Sequence, residues 1–307
     1  MYLRRLGCFI LCLICSLQAE EYVLFSPEQI LSYLLSYSDQ EQEEIAKDLQ
    51  VVRSVCKLKE ASTQNRPVYL ATAGNSNSRK STILERFIKE NPVYQTGVYL
   101  DPDERALKFM VHTYYAQSLN ALQTASSPYY LNVQQAAYEK WRAASRYITF
   151  SLLEEALQKK TTIIHGTTLT EAYVPEFLQK LKAEGYHITL VLCYSEDDLR
   201  TEAVQYKQDE QKSYPSPLGD AKIFPEKMST YFQYADTLYL YWSDDLLSEE
   251  RLAAIFDKGE MILREGCACA LNHFMSKYEE DRDALILEGK TLPTWEELMQ
   301  IYLKKSK

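Results

Sequence analysis

The stretch VYLATAGNSNSRKSTILERF, Val68 to Phe87, decides how the chain is read. It opens on apolar, β-prone residues from Val68 to Thr72, crosses a short polar turn, and closes on the amphipathic pattern of a helix from Ser81 to Lys89. Strand, turn and helix in that order frame a phosphate-binding loop, where backbone N–H groups point inward, a lysine supplies charge and a serine or threonine serves magnesium. Gly74, Lys80 and Ser81 stand at the spacing this chemistry requires. Arg79 occupies the place where a glycine ordinarily lets the backbone curl around phosphate, so its side chain is expected either to crowd the site or to point away from it. The loop candidates for nucleotide binding are Gly74, Asn75, Ser76, Asn77, Ser78, Arg79, Lys80, Ser81 and Thr82. The competing reading is an ordinary turn carrying a surface lysine.

Outward from this stretch, short apolar runs alternate with amphipathic helices. The runs are Val68 to Thr72, Val98 to Leu100, Thr161 to Ile164, Ile188 to Tyr194 and Thr237 to Trp242. Parallel strands need crossover connections, and helices such as Pro175 to Glu184, stopped by Gly185, supply them. The expected fold is α/β: a parallel sheet of about five strands with helices on both faces. Helical extensions flank it, beginning at Ser26 and Pro27 on one side and running from Ser248 and again from Thr294 to Lys304 on the other. The aromatic interval from His112 to Tyr147 is read as helix, with Ala136, Ala137, Trp141, Ala144, Ile148 and Leu152 forming a core stripe.

Ligands in such sheets bind beyond the carboxyl ends of the strands. At the end of the second strand stands GVYLDPDERALKF, with Asp101 and Asp103 placed to orient or accept a proton; the plainer role for Asp103 is to cap the helix that follows. The third strand ends in His165, Gly166 and Thr167, and His165 is read as a packed, hydrogen-bonded histidine.

In this order the pieces resemble the zeta-toxin family of phosphate-loop kinases, whose pattern has a loop ending in Lys-Ser/Thr, an IDxD turn and an acidic residue before Gly-Thr. The likeness spans about Arg66 to Trp242. It implies that Lys80 and Ser81 hold phosphate and magnesium, that Asp103 accepts the proton, that Asp101 supports its turn and the metal, and that Arg200 neutralises transferred charge. It also implies ATP or GTP with Mg2+ as cofactors, and phosphorylation of a small-molecule hydroxyl, commonly that of a UDP-linked amino sugar. The chain departs from the pattern at Arg79, at His165, and in a lid that offers Lys207, Lys212 and Lys222 in place of arginines, although Phe224, Pro225 and Glu226 match the segment after it. Those departures motivate the alternative, an exported nucleotide-binding or interaction protein whose kinase fold is catalytically degenerate. An adaptor built on the helical ends is the third reading.

A net charge of −9 argues against a broad nucleic-acid surface. Arg4 and Arg5 followed by the apolar run Leu6 to Leu17, with Ala19 as the cleavage point, read as a secretory signal peptide, so the mature chain is expected to be exported and to keep no transmembrane segment. The implied domains are a signal at 1–19, a helical extension at 20–65, a zeta-toxin-like kinase domain at 66–243 and a helical segment at 244–307 packed on the core. Of the seven cysteines, Cys56 and Cys193 are read as core, while Cys267 and Cys269 are free to join disulfides in an exported protein.

Overall fold

The five apolar runs all form strands in the computed structural model, which describes residues 25–124, 130–209, 222–246 and 249–306. The signal segment, the end of the lid and Lys212 lie outside the described residues. Strands β1 (Val68–Ala73), β2 (Val98–Leu100), β3 (Ile163–His165), β4 (His187–Ser195) and β5 (Thr237–Ser243) lie parallel, and with β6 (Arg251–Asp257) and β7 (Glu260–Ile262) the sheet order is β2-β3-β1-β4-β5-β6-β7. Placing β3 between β1 and β2 makes β1 the point where the chain's direction across the sheet reverses, so the loop after β1 opens at the switch point.

The last two strands correct the expected helix after Ser248. Residues Arg251–Asp257 form β6 and Glu260–Ile262 form β7, both antiparallel, which extends the sheet to seven strands. Lys258 and Gly259, with φ of 48° and 77°, make the two-residue hairpin turn between them. Helices return only with Ala268–Leu287 and Trp295–Leu303.

Strand periodicity splits the core into two layers. On one face Leu70, Ile164, Val191, Cys193 and Tyr241 pack against Ile83, Leu84 and Phe87 of α3 (Lys80–Glu90). On the other, Tyr69, Ala71, Leu190, Leu192, Leu240 and Phe256 meet a thicker layer. This layer comprises α5 (Tyr130–Gln158), α6 (Val174–Ala183), α9 (Met228–Tyr234), α10 (Ala268–Leu287) and α11 (Trp295–Leu303), with α4 (Tyr114–Thr124) packed on α5 and the short α8 (Ile223–Glu226) beside α10. Helix α7 (Asp197–Asp209) leaves the carboxyl end of β4. The stripe Ala137, Trp141, Ala144, Ile148 and Leu152 is buried along α5, whereas Ala136 is exposed.

The amino-terminal extension is part of this core. Capping boxes at Ser26 with Gln29 and at Ser38 with Glu41 start α1 (Pro27–Leu31) and α2 (Asp39–Val55). Ile45, Val52 and Cys56 are buried, Tyr37 stacks on Trp141 at 5.4 Å, and Asp48 accepts from the His112 amide at 2.8 Å and the Thr113 hydroxyl at 2.6 Å. Cys56, Cys193, Cys267 and Cys269 are all free thiols; only Cys269 is exposed. Among the described residues no helix is long and apolar enough to cross a membrane.

Strand β6 is as deep in the core as the parallel strands, whereas β7 is exposed at the sheet's edge. Phe256 of β6 is fully buried between Phe232, at 5.3 Å, and Tyr302, at 5.4 Å. Phe256→Ala is expected to destabilise the whole chain by about 3–5 kcal/mol in a single cooperative denaturant transition; loss of a separate early transition instead would show that residues 251–306 unfold on their own.

Candidate functional site

The loop after β1 is fixed by contacts with β4 and with the turn after β3, and by hydrogen bonds across itself. Gly74 has φ of 150°, and a Cβ there would sit 2.3 Å from the Cys193 carbonyl oxygen, so no side chain fits. Its amide donates to the Thr168 carbonyl at 3.1 Å, and Thr72 ties the strand to the neighbouring turn by donating to Thr167 O at 2.8 Å and accepting from its amide at 3.1 Å. Across the loop, the Asn75 carbonyl accepts from the Ser78 hydroxyl at 2.8 Å and from Lys80 Nζ at 2.5 Å. The amides that open α3, including those of Lys80, Ser81 and Thr82, have no earlier carbonyl within the helix and form its electropositive end.

Arg79 answers the question raised by the missing glycine. Its φ is +61°, the left-handed conformation that glycine adopts freely and other residues adopt at a cost of about 1–3 kcal/mol. Asn77, at +63°, shares that conformation, which asparagine tolerates. The Arg79 guanidinium is drawn to the connection between β5 and β6: Nε lies 2.8 Å from Glu250 Oε1, and Nη1 donates to the Asp245 carbonyl at 2.8 Å. The contact with Oε1 is an ion pair rather than an aligned hydrogen bond. Arg86 of α3 grips the same residue, reaching Glu250 Oε2 at 3.2 Å and its carbonyl at 2.9 Å. The backbone thus keeps the curl a glycine would give, and a buried carboxylate holds the arginine's head.

Around the loop the sheet's carboxyl edge gathers opposite charges. The Asp101 carboxylate, at the end of β2, accepts from the amides of Asp103 and Glu104, each at 2.8 Å. Asp101 is therefore the cap of the following turn, Pro102–Ala106, a role the sequence had offered to Asp103. Burial pushes the Asp101 carboxyl up to about 7 against the lowering effect of those amides. Gly166 makes room for it, since a Cβ there would lie 2.0 Å from Asp101 Oδ2. Asp103 stands half-exposed on the first turn after β2. Lys80 is half-buried with its ammonium turned inward, and burial lowers it to about 8, with Lys207 and Arg200 adding to the lowering and Asp101 opposing it.

Two cations of α7 face the loop. Arg200, only 4% exposed, donates from Nε to the Ser76 carbonyl at 3.0 Å and from Nη1 to Asp197 Oδ1 at 2.7 Å. Lys207 donates to Asn77 Oδ1 at 3.2 Å and lies within electrostatic reach of Asp101, Asp103 and Glu104. Lys222 goes elsewhere and pairs with Glu288 beyond α10. His165 is buried at the end of β3, its Nδ1 bonded to the Tyr69 hydroxyl at 2.7 Å; burial lowers it to about 4, so it is neutral. Among the described residues no cluster of three or more His, Cys, Asp or Glu side chains could hold a metal. Ser81, half-buried at the helix start, and Asp101 offer the sparse oxygen set that suits magnesium when phosphate and water complete its shell.

The model of the family described as Zeta toxin matches residues 53–217, more than half of the chain and the whole of this site except the Glu250 brace. The chain belongs to the zeta toxin family. Its mostly parallel sheet with helices on both faces is accordingly the phosphate-loop kinase-like fold of zeta toxins, with β5 to β7 and α8 to α11 beyond the matched region. A search of solved structures returns one of the PezAT chromosomal toxin-antitoxin system of Streptococcus pneumoniae (TM-score 0.46, 16% identity, 81% of this chain and 98% of that one). It also returns AvrRxo1-ORF1:-ORF2 with ATP (0.48, 14%, 92% and 96%) and the same pair with sulphate ions (0.46, 15%, 92% and 96%). No curated protein matches.

Sequence reasoning missed Glu250, because an acidic residue in a polar connection carries no signal of the arginines it will meet. With its side chain 2% exposed between Arg79 and Arg86, removing it takes the shared carboxylate from two guanidiniums and leaves them mainly backbone carbonyls. Glu250→Ala is expected to cost about 3–5 kcal/mol in denaturant unfolding, and Glu250→Ala combined with Arg79→Gly to recover part of that loss because glycine holds the left-handed turn unaided.

Proposed function

We propose that this zeta toxin family member is a nucleotide-dependent phosphotransferase that moves the terminal phosphate of ATP or GTP to a hydroxyl of a small molecule. The acceptor the family suggests is a UDP-linked amino sugar. The supporting observation is the convergence of Lys80, Arg200 and Lys207 on the amino end of α3, with the Asp101 and Asp103 turn at the adjacent edge. The amides of Lys80, Ser81 and Thr82 at the start of α3 would bind the phosphates, with Lys80 supplying charge. In this reading Arg200 counters the negative charge that spreads over the transferring group and Asp103 takes the hydroxyl proton, a role supported by Asp101 holding the backbone that carries it. Ser81 and Asp101 are the residues that would hold magnesium, which would supply positive charge against that of the phosphates.

Titration with ATP and with GTP, in the presence of magnesium, tests this. Lys80→Ala is expected to abolish binding, and Asp103→Asn to keep binding within a few-fold while transfer falls by about 100-fold or more. Because burial holds Lys80 near 8, its charge is present below that value and lost above it, so affinity should be flat up to about pH 8 and weaken beyond. Equal nucleotide turnover by the parent and Lys80→Ala would refute the mechanism and leave the scaffold reading.

Export belongs to the same proposal, on the strength of Arg4, Arg5 and the apolar run Leu6 to Leu17. Sequencing the amino terminus of the mature protein is expected to give Glu20 as the first residue; an intact Met1 on the secreted or cell-associated product would refute cleavage.

A further inference from the structure

Arg200 reaches the loop from a helix whose first turn is open to solvent, yet its guanidinium is buried and carries two directed bonds. One of its partners, Asp197, has a side chain 52% exposed and would be a poor anchor alone. That carboxylate is itself held: Asp197 Oδ2 lies 3.4 Å from Lys277 Nζ, and the same ammonium donates to Asp281 Oδ1 at 2.7 Å. The Tyr194 hydroxyl, at the carboxyl end of β4, donates to the other oxygen of Asp281. Lys277 is 7% exposed, and it and Asp281 sit one turn apart on α10, outside the region matched by the family model. Charges alternate along the line Asp281, Lys277, Asp197, Arg200, which ends on the Ser76 carbonyl of the loop.

Such a line makes sense as more than packing. A lysine removed from water costs stability that an apolar residue of similar size would not. Two carboxylates share this one, and the outer carboxylate has its second oxygen on the arginine. Fixing a planar guanidinium before the phosphate arrives avoids the entropy of orienting it at that moment. We propose that Lys277 is a positioning residue of the phosphate site: through Asp197 it holds Arg200 in the orientation that meets the terminal phosphate of the nucleotide. This rests on reading the loop as a nucleotide site. Helix α10 then completes the machinery of a region it does not belong to in sequence.

A double-mutant cycle on the full chain tests it, using the imido analogue of ATP and ADP as probes with magnesium present. The readout is the ratio of the two affinities, which isolates the grip on the terminal phosphate. Arg200→Ala and Lys277→Met are each expected to lower the preference for the triphosphate by about 10-fold, and Lys277→Met to add little in the Arg200→Ala background. A merely structural lysine would leave the ratio unmoved or lower it equally in both backgrounds; either result overturns the inference. Should Lys277→Met fail to fold by circular dichroism, Lys277→Gln reads the same link, with the same two outcomes deciding. A parent chain that binds neither nucleotide, or binds them as Lys80→Ala does, would bring down the nucleotide reading and this inference with it, whereas loop-dependent binding with additive variants would bring down the inference alone.

Discussion

A backbone turn that wants glycine is held open here by an ion pair. Arg79 takes the left-handed conformation at the mouth of α3, and its head is fixed on Glu250, a carboxylate buried against both Arg79 and Arg86. The loop's shape, the direction of the α3 amides and the place of Lys80 all depend on that turn. The strain at Arg79 is met by a contact from the strand pair that follows the family-matched region, so the phosphate loop and the carboxyl-terminal strands are mechanically one unit. Gly74 and Gly166 supply the other condition, because each is pressed against an atom that leaves no space for a Cβ.

Electrostatics at the site run against the character of the chain. The protein carries a formal charge of −9, yet Lys80, Arg200 and Lys207 converge on the loop. Burial weakens the charge of both Lys80 and Asp101, moving them toward one another on the pH scale. An anion seated between the helix amides and Lys80 would reverse that desolvation penalty for the lysine. Charge on the approaching side is arranged by α7, whose Arg200 is clamped between the loop carbonyl and Asp197 while Lys207 spans to Asn77.

Local patterns placed the strands well and the carboxyl-terminal pair poorly. Runs such as Val68 to Ala73 and His187 to Ser195 are apolar on both faces, as central parallel strands must be, and are bounded by turn residues. RLAAIFD is short, carries two alanines and a leucine, and is equally suited to a buried helix turn; only Gly259, which adopts positive φ freely, marks the hairpin. At the site, Lys80, Ser81, Asp101 and Asp103 were legible because strand, turn and helix fix their spacing. The exchange of the capping role to Asp101 was not, since either aspartate satisfies the same local rule until the depth of the turn is known.

The sequence by itself determined an α/β chain with a phosphate-loop frame after its first strand, and it named the lysine, the serine and the two aspartates of that frame, because these follow from periodicity and from residues few positions apart. Tertiary structure alone decided which way Arg79 points, that His165 is a neutral partner of Tyr69, that Lys222 leaves the site for Glu288, and that Lys277 reaches Asp197 from a helix far along the chain. Each of these is a pairing of charged or polar groups across long sequence separation. Such pairings depend on which buried group finds a partner once water is excluded, and that is settled only when the layers close.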